Sequence, residues 1–275
     1  MLYGAIAGDI AGSTYEFTGM PSADAELFPE GSTWTDDTVL TLAIASALSA
    51  DAYFQHTLFF YGSLYRHPMG GYGLSFDEWL DEGLDAPAYN SFGNGSAMRV
   101  SPCAYAARTL EEAIFFARKS AEVTHNHPEG IKGAEATAAC IFLARTGKTK
   151  EDIKQYIHEN YYDMSRTYED LRKAPYEMHE ICQDTVPEAI ICFLYSEDFE
   201  SAIRMAMLTN KDTDTAAAIT GAIAEAYYGV PEYIKAKVRD TLPDDLLEIL
   251  DEFEGKVRSG QRFYYDWPPY QKPKH

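Results

Sequence analysis

The first apolar segment constrains the fold most, because it combines a stripe of glycines with a single charged residue. It reads GAIAGDIAG over residues 4–12 and places Gly4, Gly8 and Gly12 four residues apart. Residues four apart share one face of an α-helix, and glycines there let other backbone approach closely. We therefore predict a central helix that packs closely through this stripe.

The rest of the chain predicts an all-α fold. Apolar positions recur at three- and four-residue spacing in LEEAIFFARKSAEV, GIKGAEATAACIFLAR, PEAIICFLYS, FESAIRMAML and PDDLLEILDEFEGKV. Convincing two-residue alternation bounded by hairpin turns is absent from the sequence. We expect long loops near residues 18–33, 66–76, 84–98 and 124–130, which are rich in Gly, Pro, Asn and His, and such loops often carry function.

Composition and charge exclude several classes of protein. With 275 residues, of which 46% are hydrophobic, the chain can bury a large core, and we expect one domain over residues 1–275. The net charge of -20 argues against nucleic-acid-binding or anionic-membrane surfaces, which need clustered Lys and Arg. Four scattered cysteines fit a reducing compartment, and the N-terminal residues lack a basic leader. We expect a cytoplasmic protein without a membrane span.

An internal similarity links the two ends of the chain. GAIAGDIAG at 4–12 and GAIAEAYYG at 221–229 share an opening tetrapeptide and a glycine eight residues later. Each also lies near an acidic cluster, TDDT at 35–38 or DTDT at 212–215. The similarity indicates either a repeated unit or chance resemblance between Ala- and Gly-rich helices, since the order of the parts differs.

The two acidic clusters are the strongest chemical signal. Each puts two carboxylates and neighbouring threonine hydroxyls at the start of an apolar helix, and no Lys or Arg precedes Arg66. One interpretation is helix capping, which needs only one such side chain. The other is that both helix starts face each other and form an oxygen-only cage for hard divalent cations such as Mg²⁺. Four aspartates balance the charge of two such ions.

Two loops are weaker candidates. In YNSFGNGSAMRVSP, residues 89–102, glycines around Asn94 suit a tight loop with exposed N–H groups, so the loop and Arg99 could bind phosphate; a plain turn is the alternative. In VTHNHPEGIKGAEA, His125 and His127 could bind a metal. Without an HExxH pattern, they fit hydrogen bonding in a loop before a helix from Ile131 better.

Taken together, five motifs resemble those of the ADP-ribosylglycohydrolases, a family that includes dinitrogenase reductase-activating glycohydrolase and the ADP-ribosylhydrolases. They are GAIAGDIAGSTYEF, TDDT, GNGSAMRVSP, THNHPEG and DTDTAAAITGAIAEAYYG, in this order between about residues 3 and 230. The resemblance implies a compact all-α fold whose cleft holds two Mg²⁺ or Mn²⁺ ions. It also implies an enzyme that hydrolyses the glycosidic bond at ribose C1 of an ADP-ribosylated protein or small molecule and releases ADP-ribose.

The resemblance assigns candidate site residues motif by motif. The implied metal ligands are Thr35, Asp36, Asp37, Asp212, Asp214 and Thr215. The implied substrate-binding residues are Asn90, Ser91, Phe92, Gly93, Asn94 and Gly95, around the diphosphate and ribose, and His125, near the distal part of the ligand. Glu16 matches the family's glutamate near the scissile bond, and Arg99 is expected to support structure. We have no role for His127.

The expected chemistry follows from these groups. Cleavage at ribose C1 develops positive charge that carboxylates stabilise, and metal ions orient the ribose and activate a water molecule. We expect Asp37 or Asp214 to orient or deprotonate that water, with Glu16 near the leaving group. An aromatic side chain from the loops, with Phe92 as the candidate, is expected to stack on the adenine.

One departure from the family pattern affects these expectations. Relatives carry two glycines before the second cluster, where this chain has Asn210 and Lys211. Glycines permit positive φ and close approach of a ligand, which side chains can obstruct. Lys211 could also compete with a metal ion or pair with a substrate phosphate. The alternatives are therefore a member that binds ADP-ribose or a related nucleotide without hydrolysing it, and a structural protein that retains the fold.

Overall fold

The computed structural model describes residues 1–263, and in that range the protein is built from helices alone. Sixteen helices follow one another: α1 Tyr3–Gly12, α2 Tyr15–Thr18, α3 Asp36–Ala50, α4 Phe54–Leu64, α5 Leu74–Glu82, α6 Gly95–Met98, α7 Ser101–Ala106, α8 Leu110–Glu122, α9 Pro128–Arg145, α10 Lys150–Asn160, α11 Tyr168–Lys173, α12 Cys182–Tyr195, α13 Phe199–Met207, α14 Thr213–Tyr228, α15 Glu232–Thr241 and α16 Asp244–Arg258. Over the same range, isolated bridges at Thr35–Met69 and Gly93–Ile181 are the only β-pairing. The all-α prediction is confirmed.

Helix boundaries differ from the sequence prediction where capping or proline chemistry decides them. Helix α9 starts at Pro128 rather than Ile131, because proline suits the first turn and His127 Nδ1 accepts a hydrogen bond from the N–H of Glu129 at 3.1 Å. His127 is thus a helix cap. Helix α12 starts five residues before Pro187, which it accommodates internally. Helix α6 lies inside the segment predicted as a loop.

The glycine stripe of α1 packs antiparallel on α14, as the prediction of a central, closely packed helix requires. All ten residues of α1 are buried. A Cβ placed on Gly4 would lie 2.2 Å from the carbonyl oxygen of Gly221, and one placed on Gly221 would lie 2.2 Å from that of Gly4. A Cβ on Gly8 would lie 2.0 Å from the carbonyl oxygen of Ala217. The two segments that resemble each other in sequence therefore meet at their first residues, Gly4 and Gly221, while the rest of the stripe packs on the earlier turns of α14.

At one end of the α1–α14 crossing, the residues that follow α1 lie next to the start of α14. A Cβ on Gly12 would lie 2.4 Å from backbone atoms of Asp214, so the C-terminus of α1 meets the N-terminus of α14. Helix α2, which carries Glu16, follows directly. The first turn of α14 and the chain after α1 thus reach the same region of the molecule.

Three further observations concern the cysteines, the helices and the C-terminal segment. All four cysteine side chains are buried as free thiols. None of the helices in the described part of the chain is long and apolar enough to cross a bilayer. The aromatic and proline-rich C-terminal segment RFYYDWPPYQKPKH lies outside the described residues from position 264 onwards.

Candidate active site

Helix α3 begins with more carboxylates than capping needs. Thr35 is the N-cap residue, and its Oγ1 accepts a hydrogen bond from the N–H of Asp37 at 3.2 Å. Asp9, which projects from α1, accepts hydrogen bonds from the N–H groups of Thr35 and Thr38 at 3.0 and 3.1 Å and from the Thr38 hydroxyl. Thr35 and Asp9 therefore cap this helix. Asp36 and Asp37 are surplus to capping.

The second acidic cluster also uses its side chains for contacts other than capping. Asp212 is the N-cap residue of α14, and its Oδ2 accepts a hydrogen bond from Asn94 Nδ2 at 2.6 Å instead of capping the helix. The Thr213 hydroxyl donates to the carbonyl of Gly12 at 2.7 Å, which fixes this helix start to α1. The carboxylate of Asp214 is buried within the same turn.

Contacts between the two helix starts join them into one surface. We call it the acidic wall and define it as Asp36, Asp37, Asp212 and Asp214. The Thr215 hydroxyl donates to Asp37 Oδ1 at 3.3 Å. Burial raises the pKa of all four carboxyl groups, and the charge of Asp214 raises the pKa of the other three further.

Two more carboxylates flank the acidic wall. Burial and the charge of Asp214 raise the pKa of Asp9 to about 7. Burial, followed by the charges of Asp214 and Glu180, raises the pKa of Glu16 to about 7 as well, while the charge of Lys211 acts in the opposite direction. The region therefore concentrates negative charge that a cation or protons would neutralise.

The donor atoms of the acidic wall fit a hard divalent cation. Mg²⁺ prefers oxygen ligands, and Asp37 Oδ2 is a buried oxygen without a hydrogen-bond partner among residues 1–263. Over this same range, no three His, Cys, Asp or Glu side chains already surround a common metal position. Some of the candidate ligand oxygens instead accept hydrogen bonds from Asn94 and Thr215. A bound cation would have to replace part of this hydrogen bonding.

The acidic wall lines a cavity. A second surface of this cavity is formed by Gly93, Asn94, Gly95, Arg99 and His125, and we call it the glycine-loop wall. Arg99 is completely buried, and Nη2 donates to Thr124 Oγ1 at 2.8 Å and to the carbonyl of Ser120 at 3.2 Å. Burial lowers the pKa of Arg99 to about 10, so the guanidinium stays charged at neutral pH. Its Nε and Nη1 find no partner in the described part of the chain.

His125 occupies the inner side of this wall. It is only 5% exposed, and its Nδ1 lies 2.8 Å from Thr124 Oγ1. Burial lowers the pKa of His125 well below its ordinary value, and the nearby charge of Arg99 lowers it further. A Cβ on Gly95 would lie 3.2 Å from His125 Nε2, so the absence of a side chain at Gly95 leaves space beside this nitrogen.

Asn210, which stands where the sequence resemblance implies a glycine, has a specific structural role. It is completely buried, and its Oδ1 accepts hydrogen bonds from the N–H groups of His179 and Asp212 at 3.1 and 2.9 Å. Its Nδ2 donates to the carbonyl of His179 at 3.3 Å. Positive φ at non-glycine residues within 1–263 is confined to Leu2, Asp51 and Asn90, so the backbone at position 210 does not require glycine.

These bonds connect three parts of the site through the segment 177–182. The N–H of Lys211 donates to the carbonyl of Glu177 at 3.0 Å. The same segment also bonds to the glycine loop. The N–H of Asn94 donates a hydrogen bond to the carbonyl of Glu180 at 2.9 Å, and the N–H of Cys182 donates one to the carbonyl of Phe92 at 3.0 Å. The segment thereby links the start of α14 to the glycine loop and brings Glu180 into the cavity lining.

The cavity has a volume of about 450 Å³. It is lined by all of the candidate site residues from the sequence except Thr35, Asn90 and Phe92. Thr35 is buried directly behind the acidic wall. Asn90 is exposed with φ of 56°, and Phe92 is 43% exposed with its ring 5.2 Å from that of His127.

Several lining residues were not identified from the sequence. The aromatic ones are Tyr72, Phe76 and Tyr89, and the acidic one is Glu180. The glycine-rich stretch Gly70–Gly73 was a usable signal for the first of these, because glycines around a tyrosine indicate a shaped loop. Glu180 carried no local signal, since tertiary pairing of its segment places it there.

Comparison with known proteins gives a consistent result. The model of the family described as ADP-ribosylglycohydrolase matches residues 1–262. ADP-ribosylarginine hydrolase Tri1 of Pseudomonas putida (strain GB-1) is 26% identical and the match covers 85% of this chain and 72% of that protein. ADP-ribosylhydrolase ARH3 of Homo sapiens is 27% identical, with 84% and 85% covered. A solved structure of an ADP-ribosylglycohydrolase-related protein complex superimposes with a TM-score of 0.72 at 23% identity, over 94% of this chain and 95% of that one.

Proposed function

The chain belongs to the ADP-ribosylglycohydrolase family, and we propose that it is a metal-dependent hydrolase. Its reaction would be cleavage of the glycosidic bond at ribose C1 of an ADP-ribosylated protein or small molecule, with release of ADP-ribose. The observation that carries the proposal is the convergence of the acidic wall and the glycine-loop wall on one cavity. A cavity with carboxylates along one surface and a buried guanidinium in another suits a ligand that has a ribose near cations and a diphosphate farther away.

The residues that would hold two Mg²⁺ or Mn²⁺ ions are Thr35, Asp36, Asp37, Asp212, Asp214 and Thr215. When bound, the ions supply positive charge that neutralises these carboxylates and polarises the groups they contact. Asp37 or Asp214 would orient the attacking water and accept its proton. Both carboxyl groups line the cavity, so either can contact a water molecule beside the ribose.

Glu16 would act near the leaving group. Its pKa of about 7 allows it to hold a proton at neutral pH and donate it to the departing atom. Glu180 also lines the cavity, and its negative charge favours a cationic leaving group over a neutral one. One relative is named an ADP-ribosylarginine hydrolase, and the arginine side chain is a cation at neutral pH. We therefore propose an arginine-linked substrate.

The proposal is tested by release of ADP-ribose from peptides modified on arginine or on serine. The purified protein is assayed with Mg²⁺, with Mn²⁺ and with EDTA, next to Asp36→Asn and Asp214→Asn. We expect Mg²⁺- or Mn²⁺-dependent release, faster from arginine, and a loss of about a thousandfold or more in either variant, because each removes charge stabilisation in the transition state. Asp184→Asn, which changes an exposed carboxylate at the start of α12, is the matched control.

The outcomes separate the alternatives. Release that persists in EDTA or in both variants would contradict the metal mechanism. Faster release from serine would overturn the leaving-group assignment alone. Tight binding of ADP-ribose by calorimetry without release from either peptide would favour a non-hydrolysing binding protein. Absence of binding together with an unchanged melting temperature in Mg²⁺ would favour a structural protein, because a ligand that binds only the folded state must raise it.

A further inference from the structure

The imidazole of His125 is held from behind by a chain of polar side chains. Thr124 Oγ1 lies 2.8 Å from His125 Nδ1, and Arg99 Nη2 donates to the same hydroxyl oxygen at 2.8 Å. Thr124 and Arg99 are completely buried, so solvent does not compete for these bonds. The chain therefore has a definite arrangement of protons.

That arrangement follows from the number of protons and lone pairs. A threonine hydroxyl has one proton to donate and two lone pairs, whereas a guanidinium can only donate. Arg99 therefore occupies one lone pair of Thr124. The Thr124 hydroxyl therefore still has its own proton to donate and one free lone pair.

Among the described residues, the acceptor within hydrogen-bond distance of the Thr124 hydroxyl is Nδ1 of His125, at 2.8 Å. An Nδ1–H tautomer would leave the buried proton of Thr124 without an acceptor, which is costly. A neutral imidazole that accepts at Nδ1 carries its own proton on Nε2. The ring stays neutral, because burial and the charge of Arg99 both oppose a second proton. Nε2 is the nitrogen on the side of Gly93 and Gly95, where added Cβ atoms would lie 3.6 and 3.2 Å from it.

We propose that Arg99 and Thr124 are positioning residues that fix His125 as the neutral Nε2–H tautomer. His125 then presents one N–H donor to the cavity and binds an acceptor atom of the ligand, such as a phosphate or ribose oxygen. The choice of ADP-ribose as that ligand rests on the proposed function, whereas the tautomer itself does not. The glycines at 93 and 95 leave the space that the acceptor atom needs.

The tautomer is measured directly by long-range ¹H–¹⁵N NMR of the ¹⁵N-histidine-labelled protein without ligand, with His125 assigned by the loss of its signals in His125→Asn. We expect a protonated-type signal for Nε2 and an unprotonated-type signal for Nδ1. Thr124→Ser, which keeps the hydroxyl, should retain this pattern. Thr124→Val, which removes it, should give exchange-averaged signals of both tautomers. An Nδ1–H pattern or averaged signals in the unmodified protein would overturn the proposal, whether or not the valine variant folds.

Binding supplies the functional readout. Calorimetry with ADP-ribose should show affinity about tenfold weaker in Thr124→Val, the effect of losing one well-oriented hydrogen bond, and affinity restored in Thr124→Ser. Equal affinity in both variants would contradict a role for the fixed tautomer in ligand binding. Failure of the unmodified protein to bind ADP-ribose at all would overturn the proposed function instead, and the NMR result would still decide the tautomer.

Discussion

The two walls of the cavity are stabilised in different ways. The acidic wall stands at the end of the α1–α14 crossing, where backbone contacts backbone through Gly4, Gly8 and Gly12. The glycine-loop wall is held by hydrogen bonds to neighbouring segments, from the side chains of Asn94 and Arg99 and from the backbone N–H of Asn94. Carboxylates that repel one another thus sit on the part of the fold that can least relax.

This difference relates structure to chemistry. Close backbone packing cannot separate without losing many contacts at once, so it can hold like charges together until a cation neutralises them. Side-chain hydrogen bonds tolerate small displacements, which suits a wall that must admit a bulky ligand. The comparison predicts that substitutions in the crossing affect stability most, that substitutions in the connecting segment affect it less, and that pH acts mainly through the acidic wall.

Gly8→Ala should have the largest effect on stability. The added Cβ would lie 2.0 Å from the carbonyl oxygen of Ala217, so the two helices must separate. We expect a loss of at least about 3 kcal/mol in the free energy of unfolding, at the upper end of overpacking effects. Chemical denaturation measures it. Gly255→Ala is the control, because nothing lies within 4 Å of a Cβ there, and alanine inside helix α16 should stabilise by about 0.5–1 kcal/mol. Equal effects at both glycines would refute the close crossing.

The packing face of α1 could be predicted from the sequence, but the helix that packs on it could not. The spacing of Gly4, Gly8 and Gly12 identified a packing face, because helical periodicity is a local property. The choice of α14 as partner depends on contacts across more than 200 residues, for which the shared GAIA tetrapeptide was only a hint. The acidic clusters were predicted as a pair because each occurs next to an apolar helix start.

The roles that the sequence could not predict are those set by contacts between residues far apart in the chain. Asp9, the single charged residue of the first apolar segment, had no predicted role, although it caps α3 across the fold. The replacement of glycine by Asn210 suggested obstruction, yet the side chain turns away from the cavity into a buried set of hydrogen bonds. Glu180 reaches the cavity only because Asn210 and Asn94 hold its segment, and no local pattern encodes that pairing.

Asn210→Ala should have the second-largest effect. It leaves the N–H groups of His179 and Asp212 without their acceptor, and a buried unsatisfied group costs about 1–3 kcal/mol. We expect a stability loss of about 2 kcal/mol, together with weaker Mg²⁺ or Mn²⁺ binding by calorimetry because Asp212 is no longer oriented. Asn160→Ala, which removes a single exposed hydrogen bond to Tyr156, is the matched control and should change stability by less than about 0.5 kcal/mol. A loss of stability with unchanged metal affinity would show that Asn210 holds the segment without orienting Asp212.

The smallest change in stability that we expect is the one produced by pH in EDTA. This measurement also separates the acidic wall from the glycine-loop wall most directly. Carboxyl groups whose pKa is raised on folding bind more protons in the folded protein than in the unfolded chain, so stability falls as pH rises from about 4 through about 7. His125 acts oppositely, because its lowered pKa costs stability as pH falls below about 6.5. With six carboxyl groups against one imidazole, we expect the metal-free protein to be more stable at pH 5.5 than at pH 8 by on the order of 1 kcal/mol. Asp36→Asn should reduce this difference and Asp184→Asn should not. Stability that rises with pH over this range would mean that repulsion within the acidic wall is relieved by some route other than protons or a cation.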